Sequence, residues 1–238
     1  MKTLSLITNF GCKNDCKYCI TRQKYPEFYK NQKFNLKNLP LYIETGKYNK
    51  ISVSGGGDPL RNYSNTYHYF WNNLFRICDF FEIKLDLHTS YYSEINTFVN
   101  SVLEYSPSIL NKIVLHLITS GENKNTLFDM FDNIPKFPVH YSIRFALVIS
   151  NNITIEYMKL FENVLNNYFH EDYLANNKVE IAYRELYVGE NSSLIPNKEV
   201  LEYAKKVNKR FKTGRFVNQA DYNDYMWPDG TITNTFIK

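Results

Sequence analysis

Residues 51–59 read Ile-Ser-Val-Ser-Gly-Gly-Gly-Asp-Pro, a short apolar run that ends abruptly in three glycines and a proline. The run predicts a buried strand at Lys50–Ser54, because short apolar segments bounded by turn residues are typical of strands. An amphipathic segment, Asn65–Phe81, and another apolar run, Glu82–His88, come next. Strand, helix and strand in this order indicate a βαβ unit, and therefore a parallel sheet.

The same alternation extends over most of the 238 residues. Further strands are predicted at Thr3–Thr8, Lys112–Ile118, Val139–Ile149 and Lys178–Val188, and further helices at Tyr91–Tyr105, Lys124–Asn133 and Thr154–Tyr168. The strands read as nearly continuous apolar runs, which is expected where helices cover a parallel sheet. The pattern predicts an α/β fold, either a partial barrel or an open doubly wound sheet, with ligands at the carboxyl ends of the strands.

The alternation stops near residue 190. We therefore predict a core domain over residues 1–190 and a C-terminal extension over residues 191–238. The extension contains a predicted helix, Asn197–Phe211, and the pair Asp229-Gly230 before a β-branched run, which is a hairpin signal. We expect this helix and hairpin to close the open side of the barrel.

Charge and hydropathy argue against nucleic acid and membranes as partners. The net charge of +4 is small, and the densest basic run, residues 205–212, is typical of a solvated helix face rather than a nucleic-acid surface. No apolar run approaches the roughly 18 residues needed to span a bilayer. The apolar stretch Leu4–Phe10 is too short for a signal peptide and lacks a cleavage site, so we expect a cytoplasmic protein.

Three of the four cysteines, Cys12, Cys16 and Cys19, form a CxxxCxxC cluster after the first strand. Three thiolates within eight residues suit a metal, whereas a structural zinc site or a conventional iron–sulfur cluster takes four protein ligands. The fourth cysteine, Cys78, lies in an apolar helical run and is interpreted as a core thiol. Three ligands leave one coordination position open, which is typical of a catalytic metal. Zinc with a histidine as fourth ligand is the open alternative.

This spacing, with the aromatic residue Tyr18 just before the third cysteine, resembles the signature of the radical SAM superfamily. The resemblance implies a partial (β/α)6 parallel barrel in which Cys12, Cys16 and Cys19 hold a [4Fe–4S] cluster. The amino and carboxylate groups of S-adenosylmethionine (SAM) would chelate the fourth iron, and Tyr18 would lie near the adenine. From the residues alone, Tyr18 is equally a core aromatic.

The glycine run resembles a second motif of that family, Gly-Gly-Glu-Pro, which receives the methionyl amino group of SAM. The corresponding residues are Gly55, Gly56, Gly57 and Asp58, and Asp58 departs from the family by being one methylene shorter than Glu. Glycines also leave the backbone accessible to a ligand, although such a run by itself can mark only a turn.

Two later residues are weaker candidates for contacts with SAM. His116 lies on the fourth predicted strand, where relatives contact the ribose and carboxylate, and a core histidine is the alternative. Arg144 lies inside an apolar strand and needs an anionic partner, which is either the SAM carboxylate or an ion pair with Glu180 or Glu185.

The resemblance implies an enzyme that receives an electron from an external flavodoxin- or ferredoxin-like donor. SAM would be cleaved to methionine and a 5′-deoxyadenosyl radical, which abstracts hydrogen from a small-molecule, nucleotide or peptide substrate. Three alternatives stay open: an activating enzyme that installs a glycyl radical on a partner protein, a zinc-binding interaction module, and an inactive barrel that binds a ligand.

Overall fold

The structure is a computed structural model that describes residues 2–14, 16, 18–19, 34–61, 63–64, 68–117, 130–134, 140–169, 178–185, 196–210, 214–217 and 223–235. The described strands are β1 (Lys2–Ile7), β2 (Tyr48–Ser54), β3 (Lys84–Thr89), β4 (Leu110–Leu117), β5 (Ser142–Ile149), β6 (Val179–Glu185), β7 (Gly214–Val217), β8 (Asp224–Met226) and β9 (Ile232–Thr233). The described helices are α1 (Leu39–Glu44), α2 (His68–Phe80), α3 (Ile95–Tyr105), α4 (Ile155–Tyr168) and α5 (Lys198–Arg210), and a 3₁₀ turn (Tyr92–Glu94) precedes α3.

The predicted alternation of strands and helices is confirmed wherever the chain is described. Each of the six predicted strands has a counterpart among β1 to β6, with ends that differ by at most two residues where both are described. The predicted helix Lys124–Asn133 falls mostly outside the described residues, which are helical at 130–132. Helix α1 and strand β7 were not predicted, since both are short.

The strands form one mostly parallel sheet with the order β7-β6-β5-β4-β3-β2-β1-β8-β9. Strands β1 to β7 follow one another in chain order, without the reversal of strand order that defines a doubly wound sheet. Strand β8 pairs with the other side of β1, in parallel, and the α/β prediction is confirmed. Strand β9 is the antiparallel member, paired with β8.

The chain divides into two compact units whose boundary falls within β4. Unit 1 comprises Met1–Lys13, Ile20–Ile113 and Asp221–Lys238. Unit 2 comprises Asn14–Cys19 and Val114–Ala220.

In unit 1, the central strands have one apolar and one polar face. The aligned residues Leu4, Ile51 and Leu85 are fully buried. Leu6, Val53 and Leu87, two residues further along each strand, are also fully buried. The residues between these two rows are Ser5, Ser52 and Asp86, which face the opposite side because strand side chains alternate. The strands are thus less uniformly apolar than the sequence pattern predicts.

On the polar face, the buried carboxylate of Asp86 pairs with polar side chains of the neighbouring strands. Its carboxylate accepts a hydrogen bond from Asn111 Nδ2 at 2.5 Å and pairs with Lys50 Nζ at 3.0 Å. Buried polar groups are tolerated when they are paired in this way.

Helices α2 and α3 pack through aromatic side chains. The ring of Trp71 lies 5.0 Å from that of Phe98 and 5.8 Å from that of Phe75, while Tyr63 contacts both Trp71 and Phe98. Cys78 follows on the same helix as Trp71 and is completely buried, as predicted for a core thiol.

In unit 2, helix α4 covers the odd-numbered face of β5 and β6. It begins at Thr154, whose Oγ1 accepts a hydrogen bond from Tyr157 N–H at 3.1 Å and thereby caps the first turn. Phe161 packs against Phe145 of β5, and the buried Glu162 accepts a hydrogen bond from Tyr183 of β6 at 2.6 Å.

The C-terminal hairpin turns at the predicted Asp-Gly pair. Gly230 has a φ of 89°, its N–H donates to Trp227 O, and Asp229 Oδ1 accepts from Thr231 N–H at 2.9 Å. Strand β8 of this hairpin extends the sheet in parallel beside β1. None of the described helices is both long and apolar enough to cross a membrane.

Candidate functional site

The loop that follows β1 is attached to the end of β2. Thr8 donates from its N–H to Ser54 O at 3.1 Å and from its Oγ1 to Gly55 O at 2.8 Å. Gly11 then forms a parallel bridge with Gly57, and Asp58 N–H donates to Gly11 O at 2.8 Å. The glycine run therefore lies directly against the backbone that leads into Cys12.

This close approach explains two of the glycines. A Cβ atom on Gly56, whose φ is 59°, would lie 1.3 Å from Thr8 O. A Cβ atom on Gly57, whose φ is 123°, would lie 2.4 Å from both N and O of Gly11. At these two positions, the space on the Cβ side is occupied by the backbone of Thr8 and Gly11, in the loop from Thr8 to Lys13 (the cysteine loop).

Asp58 joins the end of β2 to the end of β3. Its Oδ1 accepts hydrogen bonds from Thr89 Oγ1 at 2.6 Å and Leu60 N–H at 3.0 Å. Its Oδ2 accepts from Ser90 N–H at 2.6 Å and Ser90 Oγ at 2.7 Å. A carboxylate offers about four lone-pair sites, so these four donors fill it.

The electrostatic setting of Asp58 is unusual because all its donors are neutral. Burial raises the pKa of this carboxyl above its ordinary value, and the hydrogen bonds from Thr89, Ser90 and Leu60 oppose that rise. The sequence did not single out Thr89 and Ser90 as partners of Asp58. Their position directly after β3 was the available signal, since neighbouring parallel strands end at the same edge of a sheet.

Arg61 and Tyr91 also border the cysteine loop and were missed at the sequence level. Arg61 Nη1 donates to Phe10 O at 3.2 Å. The hydroxyl of Tyr91 accepts a hydrogen bond from Lys13 N–H at 2.6 Å. Burial, with the nearby charges of Cys12 and Asp58, raises the pKa of Tyr91 to about 12, while Lys13 N–H and Arg61 lower it. Tyr91 therefore stays protonated.

The three clustered cysteines are partly exposed and lie outside disulfides. Cys12 belongs to unit 1, whereas Cys16 and Cys19 belong to unit 2 and are joined by a turn in which Cys19 N–H donates to Cys16 O at 3.0 Å. Tyr18 lies within this turn. Among the described residues, no three His, Cys, Asp or Glu side chains are grouped closely enough to hold a metal ion as they stand.

The chemistry of these thiols nevertheless fits a soft metal. Accessible cysteines outside disulfides are suitable ligands for iron–sulfur clusters and zinc. Cys78 differs from them, because complete burial raises the pKa of its thiol and disfavours the thiolate. Cys12, Cys16 and Cys19 therefore stay the predicted ligands.

The two remaining candidates lie in unit 2. Arg144 Nε donates to Glu180 Oε2 at 2.6 Å, and the two residues are direct cross-strand partners on β5 and β6. The ion-pair alternative is thus what the structure contains, and contact of Arg144 with SAM stays a prediction. Burial, helped by the charge of Arg184, lowers the pKa of His116 to about 3, so this imidazole is neutral.

A search with models of protein families gives no match for this chain, and neither does a comparison with curated proteins. Function is therefore inferred from the chain's own residues and their contacts.

Proposed function

We propose that this protein is a radical SAM enzyme. Cys12, Cys16 and Cys19 would hold a [4Fe–4S] cluster, with one coordination position left for SAM. The chemistry that the bound cluster and SAM would supply is reductive cleavage to methionine and a 5′-deoxyadenosyl radical, which abstracts hydrogen from the substrate. The electron would come from a separate flavodoxin- or ferredoxin-like protein.

One observation supports this proposal most strongly. The two motifs that carry the resemblance, the cysteine cluster and the glycine run, begin side by side in unit 1. The bridge between Gly11 and Gly57 and the hydrogen bond from Asp58 N–H to Gly11 O join them, although they lie more than 40 residues apart in the chain. The proposal requires this arrangement, in which the cysteines that bind the cluster lie next to accessible backbone groups that bind SAM.

The strand order supports the architecture that accompanies this function. A partial (β/α)6 barrel requires consecutive parallel strands to be neighbours, and β1 to β7 follow this order. We therefore propose that the sheet is the radical SAM type of partial barrel.

The residues around the glycine run would bind and orient SAM. Consecutive positive φ angles at Gly55, Gly56 and Gly57 turn the backbone so that peptide groups rather than side chains border the site. Asp58 would hold this turn in place through Thr89 and Ser90. A direct contact of Asp58 with the methionyl amino group requires one of its four present donors to be released.

The other candidates would have supporting roles. Tyr18 would lie against the adenine, and the neutral His116 would exchange hydrogen bonds with a polar group of SAM without adding charge. Arg144 is already paired with Glu180, so it would reach the SAM carboxylate only if that ion pair opened.

Anaerobic reconstitution with iron and sulfide tests the proposal. We expect a brown protein with about four irons per chain that forms 5′-deoxyadenosine from SAM when dithionite is added. Cys16→Ala should lose the cluster and SAM cleavage while the protein remains folded. Cys78→Ser is the matched control and should retain the iron content of the wild type.

Three outcomes would contradict the proposal. A colourless protein with one zinc would indicate a zinc-binding interaction module. A cluster without SAM cleavage would indicate an inactive ligand-binding protein. Iron content in Cys16→Ala equal to that of the wild type, or iron loss in Cys78→Ser, would refute the three-cysteine ligand set.

A further inference from the structure

Arg61 lies against the backbone that precedes Cys12. A turn after the glycine run is closed by the hydrogen bond from Arg61 N–H to Asp58 O, at 3.1 Å. The guanidinium then donates from Nη1 to Phe10 O at 3.2 Å. The glycine run and the cysteine loop are thus connected a second time, through a cationic side chain.

Gly11 provides the space for this guanidinium. Its φ is 75°, and a Cβ atom at this position would lie 2.0 Å from Arg61 Nη1 and 3.2 Å from Cζ. Any larger residue would displace the guanidinium. Since consecutive Cα atoms are about 3.8 Å apart, Nη1 lies within roughly 7 Å of the Cα atom of Cys12.

The positive charge of Arg61 has no anionic partner among the described residues. Its Nε is buried and donates to no hydrogen-bond acceptor in the described part of the chain. Asp58, the carboxylate nearest in sequence, is filled by Leu60, Thr89 and Ser90. Arg61 itself is half-buried, and an arginine whose side chain is partly removed from water normally pairs with an anion, because an uncompensated charge there is costly.

We propose that Arg61 is a positioning residue that holds the Phe10–Cys12 loop and places a positive charge beside the metal centre. This inference depends on the proposed function, because the anion that it invokes is the cluster bound through Cys12. Thiolate ligands and sulfides make such a cluster negatively charged, and reduction adds one further negative charge. A nearby cation stabilises the reduced form more than the oxidised form, and so raises the reduction potential.

The test compares Arg61→Gln, Arg61→Lys and Arg76→Gln after anaerobic reconstitution. Glutamine keeps an N–H donor for Phe10 O but removes the charge, whereas lysine keeps the charge. Arg76 is exposed on α2, and its replacement by glutamine is the control for loss of a surface arginine. The readouts are iron content, the thermal unfolding midpoint and the midpoint potential of the cluster, measured by a dithionite titration followed by electron paramagnetic resonance.

We expect Arg61→Gln to bind iron and to have a more negative midpoint potential than the wild type. The shift should exceed any difference between the wild type and Arg76→Gln, and Arg61→Lys should restore at least half of it. If Arg61→Gln does not fold, Arg61→Met, which keeps the aliphatic stem, provides the same comparison.

Two kinds of failure are distinguishable. If the wild-type protein holds no cluster, both the proposed function and this inference are refuted. If the wild type holds a cluster and the uncharged variants have its midpoint potential, only the inference is refuted, and Arg61 has a purely structural role. A lower unfolding midpoint with an unchanged potential would support the contact of Arg61 with the Phe10–Cys12 loop and refute its effect on the metal centre.

Discussion

A buried aspartate lies near each end of strand β2, and the two carboxylates are stabilised in opposite ways. At the carboxyl end, Asp58 accepts hydrogen bonds from neutral hydroxyl and amide groups only. At the amino end, Asp224 of β8 pairs with Lys2 Nζ at 3.1 Å and Lys47 Nζ at 2.5 Å, and it accepts a hydrogen bond from Tyr48 Oη at 2.7 Å. Neutral dipoles therefore stabilise the Asp58 carboxylate, whereas positive charges stabilise the Asp224 carboxylate.

The pKa values of the two aspartates diverge for this reason. Burial raises the pKa of Asp58, and its neutral donors do not reverse the rise. Burial would also raise the pKa of Asp224, but the donors Lys47, Tyr48 and Lys2 together lower it to about 2. The amino end is therefore closed by ion pairs that attach β8 to the sheet. At the carboxyl end, Arg61 is not among the hydrogen-bond donors to Asp58, so its positive charge is available to a bound anion.

The largest expected effect comes from the glycines at the two ends. Gly56 and Gly46 both have positive φ, 59° and 69°, but an added Cβ would meet Thr8 O at the first position and nothing within 4 Å at the second. We expect Gly56→Ala to destabilise the protein by more than about 4 kcal/mol, or to prevent folding. Gly46→Ala should cost only about 1–2 kcal/mol, from the backbone conformation alone. Urea unfolding measures both.

Equal losses in these two alanine variants would contradict the close approach of the cysteine loop to β2. The comparison does not depend on any cofactor, since both variants are measured without one.

The second effect concerns the dipoles around Asp58. Asp58→Ala leaves the hydroxyl of Thr89 and the N–H groups of Ser90 and Leu60 without their acceptor, and we expect a loss of about 2–4 kcal/mol in unfolding free energy. Thr89→Val is the comparison: it removes one donor to Asp58 and leaves three, and it also removes the acceptor of Tyr91 N–H, so it should cost about 1–2 kcal/mol. A loss in Asp58→Ala no larger than in Thr89→Val would show that the network is not intact in solution.

The third effect is a pH dependence at the amino end. The pKa of Asp224 in the folded state, about 2, lies below the ordinary unfolded value of about 3.9, so its ionised form stabilises the fold above about pH 4. This contribution is lost as the pH falls toward about 2. Asp224→Asn should therefore be less stable than the wild type at pH 6, by about 1–2 kcal/mol, and the difference should shrink on acidification.

Asp58 should behave with the opposite sign. Its folded-state pKa is raised, so its contribution is largest at low pH and decreases as the pH rises through the folded value. Unfolding measured by urea from pH 3 to pH 7 distinguishes the two ends. A difference between Asp224→Asn and wild type that grows on acidification would refute the ion-pair account.

The smallest effect is expected at Lys2, whose side chain is 47% exposed. An exposed partner contributes little, because solvent screens it, so Lys2→Met should cost about 0.5 kcal/mol or less. The loss should decrease further in 1 M salt. A loss above about 1.5 kcal/mol in urea unfolding would mean that the main contact attaching Asp224 of β8 to the sheet is with Lys2 rather than with Tyr48 and Lys47.

The cysteine spacing, the glycine run and the strand–helix alternation are local patterns, and for this reason the sequence alone determined them. A thiol triplet needs only short spacing, and a buried strand is recognisable from its own apolar residues. The same patterns predicted Cys78 as a core thiol, the Asp229-Gly230 turn and a parallel α/β sheet. They also predicted Asp58 and Arg144 as sites, but they did not identify the partners of Asp58 or choose between those of Arg144.

Those partners depend on which strands become neighbours, and only the tertiary structure decided this. Asp58 meets Thr89 and Ser90 because β2 and β3 end at one edge of the sheet, and Arg144 meets Glu180 because β5 and β6 pair in a particular register. Likewise, Gly56 and Gly57 are needed because Thr8 and Gly11 approach them from a distant part of the chain. Side-chain pairing across strands is set by register and packing, which no single segment encodes.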